Sequence, residues 1–172
     1  MTSAPVIGIA GWKNSGKTTL AVRLVEQFTG RGYRVATVKH AHHSLRLDEE
    51  GTDSARHRAA GAAQVAVVSS KRWVIMSEGR EPDFSDILAR LDPCDIVIVE
   101  GYKSQPIPKI ETRRRGAEPG FALAGNDPNV FAVASDGEIV DPELPHFDLD
   151  DVATIADFLV ARFDLKPSRD LA

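Results

Sequence analysis

Cysteine is nearly absent. Cys94 stands alone among 172 residues, which excludes an internal disulfide and a multi-cysteine zinc site. A lone thiol fits a reducing compartment. No apolar run approaches the ~20 residues that a membrane-spanning helix needs. The start, Met1 to Pro5, lacks a basic stretch followed by a long apolar one and a small-residue cleavage site, so no targeting segment is expected. Internal repeats and low-complexity tracts are lacking as well. Neither sign of charge dominates: 21 Lys and Arg stand against 25 Asp and Glu, a net charge of −4 with His neutral. That balance disfavours a general nucleic-acid binder. The expectation is a cytoplasmic protein that engages neither nucleic acid nor membrane.

What is present is an ordinary globular mixture, 42% apolar and 27% charged, which argues against wholesale disorder. The length suffices for one core without covalent staples and predicts a single domain over 1–172. Short apolar, β-branched runs predict strands at 6–10, 34–38, 63–68, 73–76, 95–99 and 129–134. The run at 95–99 is the strongest of them. Residues 109–113 alternate polar and apolar in the manner of an edge strand. Helical periodicity covers 18–27, with Gly30 and Gly32 as its stop. Further helices are expected at 52–60, at 83–91 capped by Asp83 or Ser85, and at 150–163 capped by Asp150 or Asp151. Strands alternating with helices predict an α/β fold, a mostly parallel sheet flanked by helices. The stretch 105–127 holds Pro106, Pro108, Pro119 and Gly120 with the Arg113–Arg115 cluster. It reads as a loop-rich insertion ordered by a ligand or partner.

Gly11-Trp12-Lys13-Asn14-Ser15-Gly16-Lys17-Thr18 matches G-x-x-x-x-G-K-[ST] in full and stands between a predicted strand and a predicted helix. Gly11 and Gly16 let the backbone curl so that successive N–H groups converge on an anion. The helix that follows, with Thr19 in its first turn, directs its positive end to the same point. Lys17 is placed to reach the β- and γ-phosphates, and the Thr18 hydroxyl suits Mg²⁺. A second carboxylate is needed nearby, and Glu100 at the end of the strongest strand supplies it, because ligands in open α/β sheets lie at the carboxyl ends of the strands. Asp48 and Asp53 follow the second strand. They either position a water or the metal, or belong to a solvated acidic loop in which Thr52 or Asp53 caps the next helix.

His40, His42 and His43 suggest a metal site by composition, but adjacent strand residues face opposite ways and no cysteine is near. A hydrogen-bonding or anion-contacting loop fits them better. Arg113–Arg115 is either a solvated basic loop or an anion or partner contact, since guanidinium forks suit phosphates. Trp12 and Trp73 read as packing residues.

Taken in order, the phosphate loop, Lys39-His40-Ala41-His42-His43, Asp48-x-x-Gly51-x-Asp53-Ser54, Ala60-Gly61-Ala62, Arg72-Trp73, Val99-Glu100-Gly101-Tyr102-Lys103, Lys109-Ile110 and Val133-Ala134-Ser135-Asp136 resemble the molybdopterin-guanine dinucleotide biosynthesis adaptor family, MobB. The resemblance runs from Val6 to about Phe163. It implies a P-loop NTPase fold of the SIMIBI type, GTP and Mg²⁺ as ligands, weak GTP hydrolysis and a homodimer. It also implies a MobA-type guanylyltransferase as partner, the enzyme that joins GMP to molybdopterin, with molybdopterin itself a further candidate ligand. Carried over residue by residue, Gly11, Lys13, Asn14, Ser15, Gly16, Lys17, Thr18 and Thr19 serve the phosphates, and Thr18 and Glu100 the magnesium. Lys17, Asp48 and Asp53 are the candidate catalytic residues, His40 lies near the nucleotide, and Asp136 lies near the base. The sequence departs from relatives at Ser44 and at Glu50-Gly51-Thr52. It also lacks the Asn-Lys-x-Asp guanine-reading signature, so a preference for GTP is implied by the resemblance alone.

The chemistry these residues predict is charge neutralisation by loop amides, Lys17 and Mg²⁺. With no evident water-positioning residue, turnover on the order of 10⁻³ per second or slower is expected, and nucleotide state chiefly controls partner contact. Two alternatives remain open at this point. One is a small-molecule kinase or ATP-dependent ligase resembling dethiobiotin synthetase, suggested by the Val-Glu-Gly strand end. The other is a metal-delivery GTPase, suggested by the histidines.

Overall fold

A computed structural model describes residues 4–41, 48–49, 51–117, 120–137 and 143–168. In chain order the elements are β1 (Val6–Ala10), α1 (Lys17–Gly30), β2 (Val35–Lys39), α2 (Asp53–Ala59), β3 (Gln64–Val68), β4 (Trp73–Ser77), α3 (Phe84–Ala89), β5 (Ile96–Glu100), β6 (Lys109–Arg113), β7 (Val130–Ser135), β8 (His146–Asp148) and α4 (Val152–Phe163). They form two compact units, Met1–His40 with Leu88–Ala172, and Ala41–Ile87.

The first unit is a six-stranded sheet in the order β2-β5-β1-β6-β7-β8, every pairing parallel. Continuous apolar strands dictate this arrangement, because a strand buried on both faces has no polar side to offer water. In β5 the side chains of Ile96, Val97, Ile98 and Val99 are all buried. Helices α1 and α4 supply Leu20, Leu24 and Phe28, and Ile155 and Leu159, to a core shared with Ile7, Ile9, Ile98 and Ile110. Asp151 caps α4, its side chain accepting from Thr154 N.

One expectation is corrected. Residues 109–113 are not an edge strand: β6 lies between β1 and β7. Its alternation comes from charges that are buried yet partnered. Lys109 and Glu111 are each 1% exposed. Lys109 Nζ donates to Asp127 at 2.7 Å. Glu111 accepts from Leu123 N at 3.0 Å, Ala124 N at 2.8 Å and Arg113 Nη2 at 2.8 Å. Burial of a charge is tolerable where such partners replace water. Burial alone would raise the Asp127 pKa, but hydrogen bonds from Lys109 and Asn129 hold it below the usual carboxylate value. The stretch 105–127 thus contributes an interior strand and a segment that folds back to satisfy it. Gly8 makes room for the Lys109 stem, since a Cβ there would lie 3.0 Å from Lys109 Cγ. Strand β8 was not anticipated; it is three residues long, too short for periodicity to register.

In the second unit, Thr52 caps α2 by accepting from Ala55 N, which decides between Thr52 and Asp53 as the cap. Strands β3 and β4 form an antiparallel hairpin, Val65 opposite Met76 and Val68 opposite Trp73. Ser69 closes its turn with Arg72. Val68, Trp73 and Ile75 are exposed, so Trp73, read from the sequence as a packing residue, lies on the hairpin's surface. No helix among the described residues is long and apolar enough to cross a membrane.

Candidate functional site

The candidate site is built where β1 ends and α1 begins. Gly11, Asn14 and Gly16 hold φ angles of 150°, 64° and 96°, a curl that L residues with a Cβ adopt at a cost. Gly11 is doubly constrained. A Cβ there would fall 2.5 Å from the Thr112 carbonyl oxygen and 2.5 Å from Ser15 Oγ. The buried Ser15 hydroxyl bonds Thr112 Oγ1 at 2.8 Å, and Thr112 Oγ1 donates to Ala10 O at 3.1 Å. This chain of hydroxyls ties the loop to the neighbouring strand β6.

Helix α1 opens on Gly16 with no capping side chain and no acidic residue in its first turn. Its first amides and positive dipole end are therefore not claimed by a carboxylate of the helix itself. They face a cavity of about 450 Å³ lined by Lys13, Asn14, Gly16, Lys17, Thr18, Thr19, Glu100 and Arg114. Glu100 stands at the end of β5, next to β1. Its Oε1 accepts from Thr18 Oγ1 at 2.6 Å and pairs with Lys39 Nζ at 3.1 Å. A hydroxyl and a carboxylate gathered this closely form an all-oxygen donor pair that fits a hard divalent cation such as Mg²⁺.

Lys17 Nζ donates to Trp12 O at 2.6 Å. Its pKa lies below its usual 10.5, first because it is partly buried, then because Lys103 and Lys39 repel its charge, while Glu100 works the other way. Crowded ammonium groups beside free helix amides are what an anion relieves. Trp12 packs as expected. Its Nε1 donates to Phe121 O at 2.8 Å, and Lys103 Nζ lies 3.7 Å from its ring centroid. A second cavity of about 320 Å³ adjoins, with Trp12, Arg113 and Arg114 among its walls.

The remaining expected residues fall as follows. His40 follows β2, its amide donating to Glu100 O at 3.0 Å and its ring 4.7 Å from that of Tyr102. Asp136 does not line the 450 Å³ cavity. Its carboxylate accepts from Arg115 N at 2.8 Å and lies 3.9 Å from Arg114 Nε. Asp48 and Asp53 belong to the second unit. Asp48 is gripped by Arg58 at 2.7 and 3.2 Å, and the exposed Asp53 lies 3.6 Å from Arg56. His42, His43, Ser44 and Glu50 lie outside the described residues. Among the described residues no group of three or more His, Cys, Asp or Glu is gathered to hold a metal. Thr112 is not singled out by the sequence, Lys39 and Lys103 stand there only as members of family motifs without a role, and Arg114 is not separated from its neighbours. Their roles depend on strand order, which no local pattern carries.

A parallel sheet with β1 at its centre and a glycine-curled turn leading into α1 defines a P-loop NTPase fold. The crystal structure of a MobB protein homolog from Bacillus stearothermophilus superimposes with a TM-score of 0.70 at 28% identity, covering 92% of this chain and 97% of that one. The molybdopterin-guanine dinucleotide biosynthesis adapter protein of Haemophilus influenzae is 40% identical over 159 residues, 90% of this chain and 87% of its own length. The adapter protein of the same name from Escherichia coli is 38% identical over 164 residues, 92% and 93% of the two chains. Residues 6–136 match the family described as molybdopterin guanine dinucleotide synthesis protein B. The chain belongs to that family, which places it in the adapter role of molybdopterin guanine dinucleotide biosynthesis.

Proposed function

We propose that this protein is a nucleotide-controlled adapter. It binds GTP with Mg²⁺, hydrolyses it slowly, and uses the bound state to set its contact with the guanylyltransferase that joins GMP to molybdopterin. The observation that carries the reading is the pairing of Thr18 Oγ1 with Glu100 Oε1 at 2.6 Å beside Lys17 and the uncapped start of α1. Loop amides and the Lys17 ammonium are suited to the phosphates, and Thr18 and Glu100 to the metal. When bound, Mg²⁺ supplies neutralisation of phosphate charge. The chain's own part is electrostatic: Lys17, Lys13 and the helix amides face the charge that grows on phosphate oxygens. Turnover on the order of 10⁻³ per second or slower is the expectation for such a site working without a partner. The choice of guanine follows from family likeness rather than from a base-reading residue. The dimer and the guanylyltransferase partner rest on the same likeness.

Calorimetry with GTP and ATP in magnesium buffer, for wild type and Lys17→Ala, tests the ligand. Saturable binding of GTP, weaker binding of ATP and loss of both in the variant are expected. Co-purification with a guanylyltransferase, with and without GTP, tests the adapter role. Failure of wild type to bind either triphosphate overturns the reading.

A further inference from the structure

The three arginines at the end of β6 have different tasks. Arg113 turns back to Glu111, with Nη2 2.8 Å from its carboxylate. Arg115 donates its backbone N–H to Asp136 at 2.8 Å. Arg114 alone of the three faces the phosphate cavity. Its Cζ and Nη2 both lie 3.7 Å from where a Cβ on Gly16 would sit, directly at the start of α1. The same side chain has its Nε 3.9 Å from Asp136 Oδ2. The parallel pairing of Arg113 with Ser135 brings the loops after β6 and β7 together, so Asp136 grips the Arg114 loop from its backbone and its side chain at once.

We propose that Arg114 is a phosphate-contacting residue supplied in cis, and that Asp136 is the positioning residue that holds it over the start of α1. The inference rests on the nucleotide reading above. It also assigns Asp136 a place different from the base contact expected from the sequence. A guanidinium is the fitting group here because its planar donors can meet two phosphate oxygens at once. The 3.9 Å ion pair leaves the guanidinium fork largely uncommitted, since a charge-assisted hydrogen bond is closer to 2.7–2.9 Å.

The test is a calorimetric double-mutant cycle with Mg²⁺ and GTP on the full chain: wild type, Arg114→Ala, Asp136→Ala and the double variant, with Arg114→Lys alongside. Arg114→Ala is expected to weaken GTP binding at least tenfold, and Arg114→Lys to recover part of the loss. Asp136→Ala is expected to weaken binding in the wild-type background and not in the Arg114→Ala background. There only the removal of a negative charge remains, and that favours the anion. Unchanged melting of the variants without nucleotide separates a phosphate contact from a folding defect, and an early-melting Arg114→Ala or Asp136→Ala is replaced in the cycle by Arg114→Gln or Asp136→Asn. Wild-type binding with Arg114→Ala within twofold of it overturns the Arg114 assignment while the nucleotide reading stands. Equal weakening by Asp136→Ala in both backgrounds overturns the positioning role. No wild-type binding at all overturns the nucleotide reading itself.

Discussion

Replacing Glu111 by Gln changes one oxygen for an NH₂ group and leaves the shape of the side chain intact. In the native protein the carboxylate accepts from Leu123 N, Ala124 N and Arg113 Nη2, at 3.0, 2.8 and 2.8 Å. Glutamine has one acceptor. One of the two backbone N–H groups then faces another donor, and the ion pair with Arg113 is lost. A buried donor left without a partner costs about 1–3 kcal/mol, and a hydrogen bond to a charged group is worth about 1.5–3 kcal/mol. The Arg113 side chain is 20% exposed, so water recovers part of its share, and the total comes to about 3 kcal/mol. A chain of this length loses ~2–4 °C of melting temperature per kcal/mol, so Glu111→Gln should melt roughly 6–12 °C below wild type. Thermal and urea unfolding followed by circular dichroism measure this, with exposed Glu26→Gln as a control expected within about 0.5 kcal/mol. A Glu111→Gln protein that unfolds with the same midpoint and urea dependence as wild type would show that the carboxylate is not what holds the 121–124 segment. The account of β6 as an interior strand with satisfied charges would then fail.

Gly11→Ala places a Cβ 2.5 Å from a backbone oxygen of Thr112, so the loop must move. GTP binding should fall by well over tenfold while circular dichroism stays native, and retained affinity would show that the curl is not needed. Lys17 has a pKa below 10.5, from burial and then from Lys103 and Lys39, and an anion favours its charged form. Affinity should therefore decline as pH rises through that lowered value, and binding at alkaline pH should draw a proton from solvent, read from calorimetry in two buffers of different ionisation heat. Binding without proton uptake across that range would contradict the cation-crowded site. Asp127 titrates below 3.8 in the fold because the hydrogen bonds from Lys109 and Asn129 outweigh its burial. Its contribution to stability is full above 3.8 and disappears as pH falls through the lower folded value. Asp127→Asn should flatten the acid limb of urea midpoint against pH, and an unchanged limb would refute the pairing.

The parts of the site legible in the sequence are those written in consecutive residues. Gly11 to Thr18 carry the glycine-curled loop in one local pattern, and the apolar run of β5 ends visibly at Glu100, so the carboxylate beside the loop follows from strand chemistry. What could not be read depends on which strands are neighbours. The alternation at 109–113 suggests an edge strand, because periodicity equates charge with exposure. Lys109 and Glu111 break that equation through partners 18 residues and 12–13 residues further along. Arg114 looks interchangeable with Arg113 and Arg115 until the pairing of β6 with β7 sends each in its own direction. Asp48 and Asp53 have the chemistry of metal-positioning carboxylates, and within the second unit Asp48 pairs with Arg58 and Asp53 lies 3.6 Å from Arg56, contacts that periodicity does not announce.

Strand β6 is where these threads meet. Its register with β1 sets Ala10 opposite Glu111, so the next residue of each strand, Gly11 and Thr112, must pass side by side. That adjacency is the physical reason a glycine is needed at 11: the positive φ alone would be costly, but the Thr112 carbonyl makes any Cβ collide. One residue earlier, Glu111 anchors the segment whose Phe121 carbonyl receives the Trp12 indole N–H. Two residues later, Arg114 reaches the start of α1. A slip of one position would turn Glu111 and Thr112 to opposite faces and undo the loop tether and the segment anchor together. The interior strand and the glycine-curled loop therefore share their contacts. Glu111→Gln should accordingly weaken GTP binding as well as stability, and calorimetry of the single and double variants should show that extra loss absent in a chain that already carries Gly11→Ala.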